Sequence, residues 1–127
     1  MDIIISNSSS IPIYEQICKQ IKNHITAGLL VPGEALPSIR LLAQELHISV
    51  ITTKRAYEEL EREGFIETVP GKGSFVAHIA PQRLREIAMS RVETHLSIAI
   101  ELAKGAGITR EETAASLDAL FAPESCL

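Results

Sequence analysis

Residues 36–57 read LPSIRLLAQELHISVITTKRAY, and residues 69–76 read VPGKGSFV. The first stretch predicts two helices joined by a tight turn, because Ser38 and Ser49 each stand where a side-chain oxygen can cap a helix start. The second stretch predicts a β-hairpin whose tip contains two glycines. This order of elements can place the start of one helix and the tip of one hairpin on a single face.

The residues before and between these elements complete a small helical core. Ile13, Ile17, Ile21 and Ile25 recur at intervals of four, which predicts a first helix with one buried face that ends near Gly28. Apolar spacing in the next two helices predicts further buried positions, and Gly64 is predicted to end the third helix. Those positions are Leu41, Leu42 and Leu46 in the second helix and Ala56, Tyr57 and Leu60 in the third.

After Pro81 an apolar stripe predicts a long helix, and Thr109 to Glu112 has the spacing of a capping box that starts a last helix. The predicted fold class is therefore mainly α with a small antiparallel β wing. A winged helix-turn-helix domain at 1–78 precedes a two-helix region at 79–127.

The two-helix region is too small to enclose a ligand cavity by itself, and its apolar stripe must be buried against something. A second copy of the chain is the predicted cover, with packing back onto the winged domain as the alternative. The residues predicted to form the dimer interface are Leu84, Ile87, Ala88, Val92, Leu96, Ala99, Leu102, Leu117, Leu120 and Phe121.

Composition limits the classes of protein to which the chain can belong. With 127 residues and 46% apolar content, the chain fits one domain, or a small domain with an appendage, and is not of the disordered type. Its apolar runs are too short for a membrane span, and the acidic start at Asp2 is unlike a signal peptide. Two cysteines, Cys18 and Cys126, make no disulfide framework, so a reducing cytoplasm is the predicted compartment.

The net charge of −4 argues against general affinity for nucleic acid, but the charge is unevenly distributed. Residues 36–57 carry a net charge of +2, whereas residues 58–67 carry −4. Positive charge therefore gathers at the start of the third helix and acidic charge at its end. We expect weak non-specific binding and an affinity that depends on dimerisation and specific contacts.

Three segments resemble the GntR family of bacterial transcription regulators, and more narrowly its YtrA-like subfamily. IPIYEQI (residues 11–17) resembles the family's opening helix, and PGEALPSIR (residues 32–40) resembles the entry to its helix-turn-helix. AYEELEREG (residues 56–64) and GKGSFV (residues 71–76) resemble the end of the recognition helix and the wing. The match covers roughly residues 2–78, and the tail is similar to the short YtrA-type effector region.

The resemblance implies a DNA-binding repressor with double-stranded DNA as its partner, a neighbouring operon as its target, and frequently an ABC transporter as the product of that operon. An arginine at the position of Arg40 anchors DNA in the family, and the start of the recognition helix reads bases. The implied contact residues are Arg40, Ser38, Ser49, Val50, Ile51, Thr52, Lys54, Arg55 and the wing tip Gly71, Lys72 and Gly73. Many members carry arginine at the position of Val50, so the familiar arginine-to-guanine contact does not transfer.

Physical chemistry supports a contact role for several of these side chains. The guanidinium of Arg40 suits a bidentate contact with phosphate or guanine, although a salt bridge to Glu45 is an alternative. Methyl groups of Val50 and Ile51 can pack on thymine methyl groups in a major groove. The alternative is that one of the two side chains, with Ile51 the expected one, is partly buried.

Three cationic residues carry further expectations. Lys54 and Arg55 point about 100° apart, so one is expected to meet the DNA backbone while the other flanks the groove or pairs with a nearby glutamate. Lys72 is the leading wing candidate, because its glycine neighbours permit close approach, and a solubilising turn lysine is its alternative.

The chain shows no catalytic grouping, and its four histidines have no metal-ligand spacing, so we predict no enzyme activity, no metal and no cofactor. The residues indicate no particular small-molecule effector. Two other functions stay open at this point. One is a winged-helix module that binds proteins, and the other is a ligand-sensing regulator with a pocket at a dimer interface.

Overall fold

The structure is a computed structural model that describes residues 1–125. It divides into two compact units, Met1–Arg85 and a second unit that begins at Glu86. The elements in chain order are α1 (Ile13–Thr26), α2 (Ile39–Leu46), α3 (Val50–Arg62), β1 (Ile66–Val69), β2 (Gly73–Val76), α4 (Pro81–Ala106) and α5 (Arg110–Ser125). This order confirms the predicted fold class, mainly α with a small antiparallel wing.

The core of the first unit is built around α3, which packs against α1, α2 and β1. Its inward face carries the predicted Ala56, Tyr57 and Leu60 together with Thr53, which is fully buried. The hydroxyl of Tyr57 donates a hydrogen bond to the carbonyl of Pro37 at 2.7 Å, which ties α3 to the chain entering α2. Burial raises the pKa of Tyr57, so this phenol stays a neutral donor.

The prediction that Leu41 is buried is wrong. Leu42 is 2% exposed, whereas Leu41 is 45% exposed. Successive helical residues point about 100° apart, and the eight-residue α2 meets the core with the side that holds Leu42 and Ala43. Leu46 is half-buried.

The turn between α2 and α3 is made at His47, as predicted. His47 adopts a left-handed conformation with φ 56°, a conformation in which histidine is enriched among residues other than glycine. The backbone N–H of Ile48 then donates to the carbonyl of Ala43 at 3.0 Å and closes the helix end. α1 and α3 end just before Gly28 and Gly64, the two predicted positions.

The wing has one more paired segment than the sequence predicts. β1 and β2 are antiparallel, with Ile66 opposite Val76 and Val69 opposite Gly73. Residues 33–36 run beside β2, where the backbone N–H of Leu36 donates to the carbonyl of Ser74 at 2.9 Å. The free edge of β2 is therefore hydrogen-bonded to the segment that leads into α2.

The amino-terminal arm, residues 2–6, is held by two glutamines of α1. The amide of Gln20 bonds both the N–H and the carbonyl of Ile4, at 2.8 and 2.7 Å. The amide of Gln16 does the same for Ser6, at 2.9 and 3.0 Å. Side-chain amides one helical turn apart thus take the place of a neighbouring strand.

Two helices dominate the second unit. α4 ends at Ala106, and the N–H of Ile108 donates back to the carbonyl of Ala103 at 2.8 Å. The predicted capping box is confirmed at the start of α5, because Thr109 and Glu112 exchange side-chain-to-backbone hydrogen bonds at 3.1 Å. No helix within the described residues is long and apolar enough to cross a membrane.

Cys18 is a buried free thiol that donates to the carbonyl of Ala56 at 3.3 Å. Burial raises the pKa of this thiol to about 11, which disfavours the reactive thiolate at neutral pH. Cys126 lies outside the described residues.

The adjacent leucines of α2 provide a matched test of the core. We expect Leu42→Ala to lower the free energy of unfolding by about 2–5 kcal/mol, because it empties a buried site, and Leu41→Ala to lower it by less than about 1 kcal/mol. Urea unfolding of both variants at one protein concentration measures the difference. Equal losses would show that α2 meets the core differently.

Candidate nucleic-acid interface

The start of α3 is fixed by a compact cap. The hydroxyl oxygen of Ser49 accepts the backbone N–H of Thr52 at 3.0 Å and donates its own proton to the Thr52 hydroxyl at 2.8 Å. The buried hydroxyl of Thr53 donates to the carbonyl of Ser49 at 3.1 Å. Ser49 is thus the predicted cap, and the first turn of α3 is rigid because its local polar groups bond one another.

Val50 and Ile51 project from this cap with exposed fractions of 49% and 81%. Partial burial is therefore wrong for Ile51, whereas about half of Val50 is covered. Fully exposing a β-branched apolar side chain gives the isolated fold no packing energy. A surface of this kind at a rigid helix start is suited to contact with a partner.

Cationic side chains lie on both sides of the turn. Arg40 is the second residue of α2, and its exposed guanidinium forms no hydrogen bond or ion pair with any described residue. The alternative salt bridge to Glu45 is not formed. Ser38 caps α2 by accepting the backbone N–H of Leu41 at 3.1 Å, as predicted.

Lys54 and Arg55 have different surroundings. The guanidinium carbon of Arg55 lies 3.9 Å from the centre of the Tyr14 ring on α1, and its Nη2 donates to the Tyr14 hydroxyl at 3.3 Å. Lys54 is exposed, and its ammonium has no ion-pair partner within residues 1–125. Lys54 is therefore available for an anion, while Arg55 is held on α1. No sequence pattern indicates that the Tyr14 ring packs against Arg55.

The wing tip holds Lys72 between two glycines in left-handed conformations. Gly71 has φ 78° and Gly73 has φ 114°, and the N–H of Lys72 donates to the carbonyl of Val69 at 2.9 Å. A Cβ at either glycine would meet no atom within 4 Å, so backbone conformation and not space requires glycine here. The Lys72 side chain is exposed and has no ion-pair partner among the described residues.

The acidic end of α3 is largely exposed, and two of its carboxylates also connect elements. Glu61 accepts the backbone N–H of Thr68 in β1 at 3.0 Å. Glu63 pairs with Lys22 of α1 at 2.8 Å. The acidic charge between residues 58 and 67 thus stabilises the scaffold, and it repels polyanions from that end of the helix.

The residues predicted for dimerisation are mostly uncovered. Exposed fractions are substantial for Val92, Leu96, Leu102, Leu117, Leu120 and Phe121, and Ala99 is exposed as well. Leu84, Ile87 and Ala88 are half-buried. Exposed apolar side chains in this number exceed what a monomeric surface helix normally shows.

Comparison with known proteins gives one consistent picture. The model of the family described as "Bacterial regulatory proteins, gntR family" matches residues 13–76. The chain is 41% identical over 110 residues to the HTH-type transcriptional repressor YtrA of Bacillus subtilis, covering 87% of this chain and 85% of that protein.

Two solved structures extend the comparison. A GntR family transcriptional regulator from Listeria monocytogenes is 30% identical with a TM-score of 0.79, over 90% of this chain and 97% of that one. The structure of AraR(DBD) in complex with operator ORX1 is 28% identical with a TM-score of 0.54, over 61% of this chain and 96% of that one.

The contact between Arg55 and Tyr14 can be tested against its neighbour Lys54. We expect Arg55→Ala to lower the thermal unfolding midpoint by a few degrees, because it removes a cation–π contact between α1 and α3. Lys54→Ala keeps the helix propensity of alanine without breaking such a contact, so its midpoint should not move. If Arg55→Ala lowers the thermal midpoint by the same amount in a Tyr14→Leu background, the contact does not stabilise the fold.

Proposed function

The chain belongs to the gntR family of bacterial regulatory proteins, and we propose that it is a transcriptional repressor that binds an inverted-repeat operator as a homodimer. The observation that carries the proposal is the start of α3, where a rigid cap presents uncovered apolar side chains beside unpaired cations. The family and the relatives are regulators and not enzymes, which confirms the prediction that the chain is not an enzyme.

In the proposed complex the first turn of α3 enters the major groove. Arg40 and Lys54 contact phosphates beside it. The backbone N–H groups at the N-terminal ends of α2 and α3, where Ser38 and Ser49 are the caps, add polar contacts to the DNA backbone. Lys72 reaches the adjoining backbone or minor groove from the wing tip, where Gly71 and Gly73 allow close approach. The exposed positions of these side chains and the operator complex of AraR(DBD) support this arrangement.

Dimerisation through residues 79–127 complements this interface. A single copy offers few cations and carries net negative charge, so its binding should be weak. Burying the exposed apolar side chains of α4 and α5 between two copies would stabilise the pair, and two-fold symmetry would set two recognition helices about one DNA turn apart. The YtrA-like resemblance further suggests a neighbouring ABC-transporter operon as the target.

Loss of single cations tests the DNA interface. We expect Arg40→Ala and Lys72→Ala each to weaken operator binding several-fold and to leave the thermal midpoint unchanged. Each variant removes two phosphate contacts per dimer, so the slope of log K against log salt should fall in magnitude by about 2. Fluorescence anisotropy titrations of a selected operator measure the affinity and its salt slope. The titrations run between 50 and 200 mM salt, about the range over which such contacts lose affinity.

Arg62→Ala is the matched control. It removes the same charge from the acidic end of α3, about 18 Å along the helix from Val50, where Arg62 pairs with Glu59. Affinity and salt slope should match the wild type. A protein-interaction module would instead show no specific DNA binding at any salt concentration, and normal binding by both test variants would refute the proposed interface.

The dimer is tested by placing a charge in the apolar stripe of α4. We expect Leu102→Glu to shift the protein from dimer to monomer in sedimentation velocity and to reduce operator affinity at least tenfold, because a carboxylate cannot be buried unpaired. Lys104 lies about 160° around the helix from the centre of the stripe, so the Lys104→Glu protein should stay dimeric. A dimeric Leu102→Glu protein would place the interface elsewhere.

A further inference from the structure

Ile51 occupies the most outward position of α3. It precedes Leu60 by nine residues, which is two and a half helical turns, so the two side chains point about 180° apart. Leu60 is fully buried in the core, and Ile51 is 81% exposed. Any surface that α3 approaches with its outer face therefore meets Ile51 first.

The polar groups of the first turn bond one another and leave one hydroxyl proton, that of Thr52, without an acceptor among the described residues. Ser49 both accepts from and donates to Thr52, and Thr53 is buried with its hydroxyl on the Ser49 carbonyl. Val50 and Ile51 are the two remaining side chains of this turn, and both are hydrocarbon. The base-reading surface at the helix start is consequently mainly apolar.

A second constraint limits how much of α3 can enter a groove. Glu58 follows Ile51 by two turns on the same face, about 10 Å along the axis, and it is exposed. A carboxylate at that height repels phosphates, so the helix must approach with its first turn. Base contacts then fall to Ile51, with Val50 at its side.

One base edge suits a hydrocarbon contact. The major-groove edges of adenine, guanine and cytosine offer hydrogen-bonding groups, whereas thymine adds a 5-methyl group. We propose that Ile51 is a specificity-determining residue that selects a thymine in each operator half-site through contact with its 5-methyl group. This inference rests on the proposed function and adds the base and the group that is read.

Removing that methyl group chemically gives a direct test. The operator is first recovered by selection from randomised duplexes, and each thymine of the half-site is then replaced, symmetrically, by deoxyuridine. Burial of one methyl group corresponds to about a fourfold change in affinity, so loss of one methyl in each half-site should weaken wild-type binding about 16-fold at one position. Ile51→Ser should bind the thymine and deoxyuridine operators equally.

Ile4→Ser is the matched control, because Ile4 is 79% exposed on the amino-terminal arm and lies outside the proposed interface. This variant should keep the full wild-type response to deoxyuridine. Wild-type binding that is insensitive to deoxyuridine at every position, or a response that persists in Ile51→Ser, would overturn the inference while leaving operator binding intact. Failure of the proposed function would appear earlier, as selection that recovers no sequence.

Discussion

The burial of one face of α3 is the constraint on which the rest of the molecule depends. Thr53, Ala56, Tyr57 and Leu60 place that face against α1, α2 and β1 at once, and the Tyr57 hydroxyl joins it to the chain before α2. Because a helix is a rigid rod, fixing one face also fixes the direction of the opposite one. Exposure of Ile51 is thus a consequence of the packing of Leu60.

The division of charge along α3 gives the helix a polarity that its amphipathic pattern alone does not. Its first turn exposes the hydrocarbon side chains of Val50 and Ile51 with cations nearby, and its last turns are acidic. The acidic residues are also structural, since Glu61 and Glu63 bond β1 and α1. The end of α3 that would repel DNA is therefore the end that the scaffold uses, and the opposite end is left uncovered for a partner.

Local signals in the chain predict the fold well. Ser38, Ser49 and Thr109 begin helices as predicted, because a capping hydrogen bond involves residues only two or three positions apart. The hairpin between β1 and β2 likewise follows from its short turn. The candidate contact residues could be named for the same reason, since the start of α3 and the wing tip are defined by local sequence.

The sequence by itself determined the elements, their order, the apolar stripes and the uneven charge, all of which depend on neighbours within about one or two helical turns. Tertiary structure alone decided which of Leu41 and Leu42 is buried, that Ile51 is exposed, and that Arg55 is held by Tyr14 while Lys54 is not. Tyr14 and Arg55 are 41 residues apart, and Gln20 is 16 residues from Ile4. Tertiary packing brings such partners together, and the spacing of residues along the chain does not show that they are close.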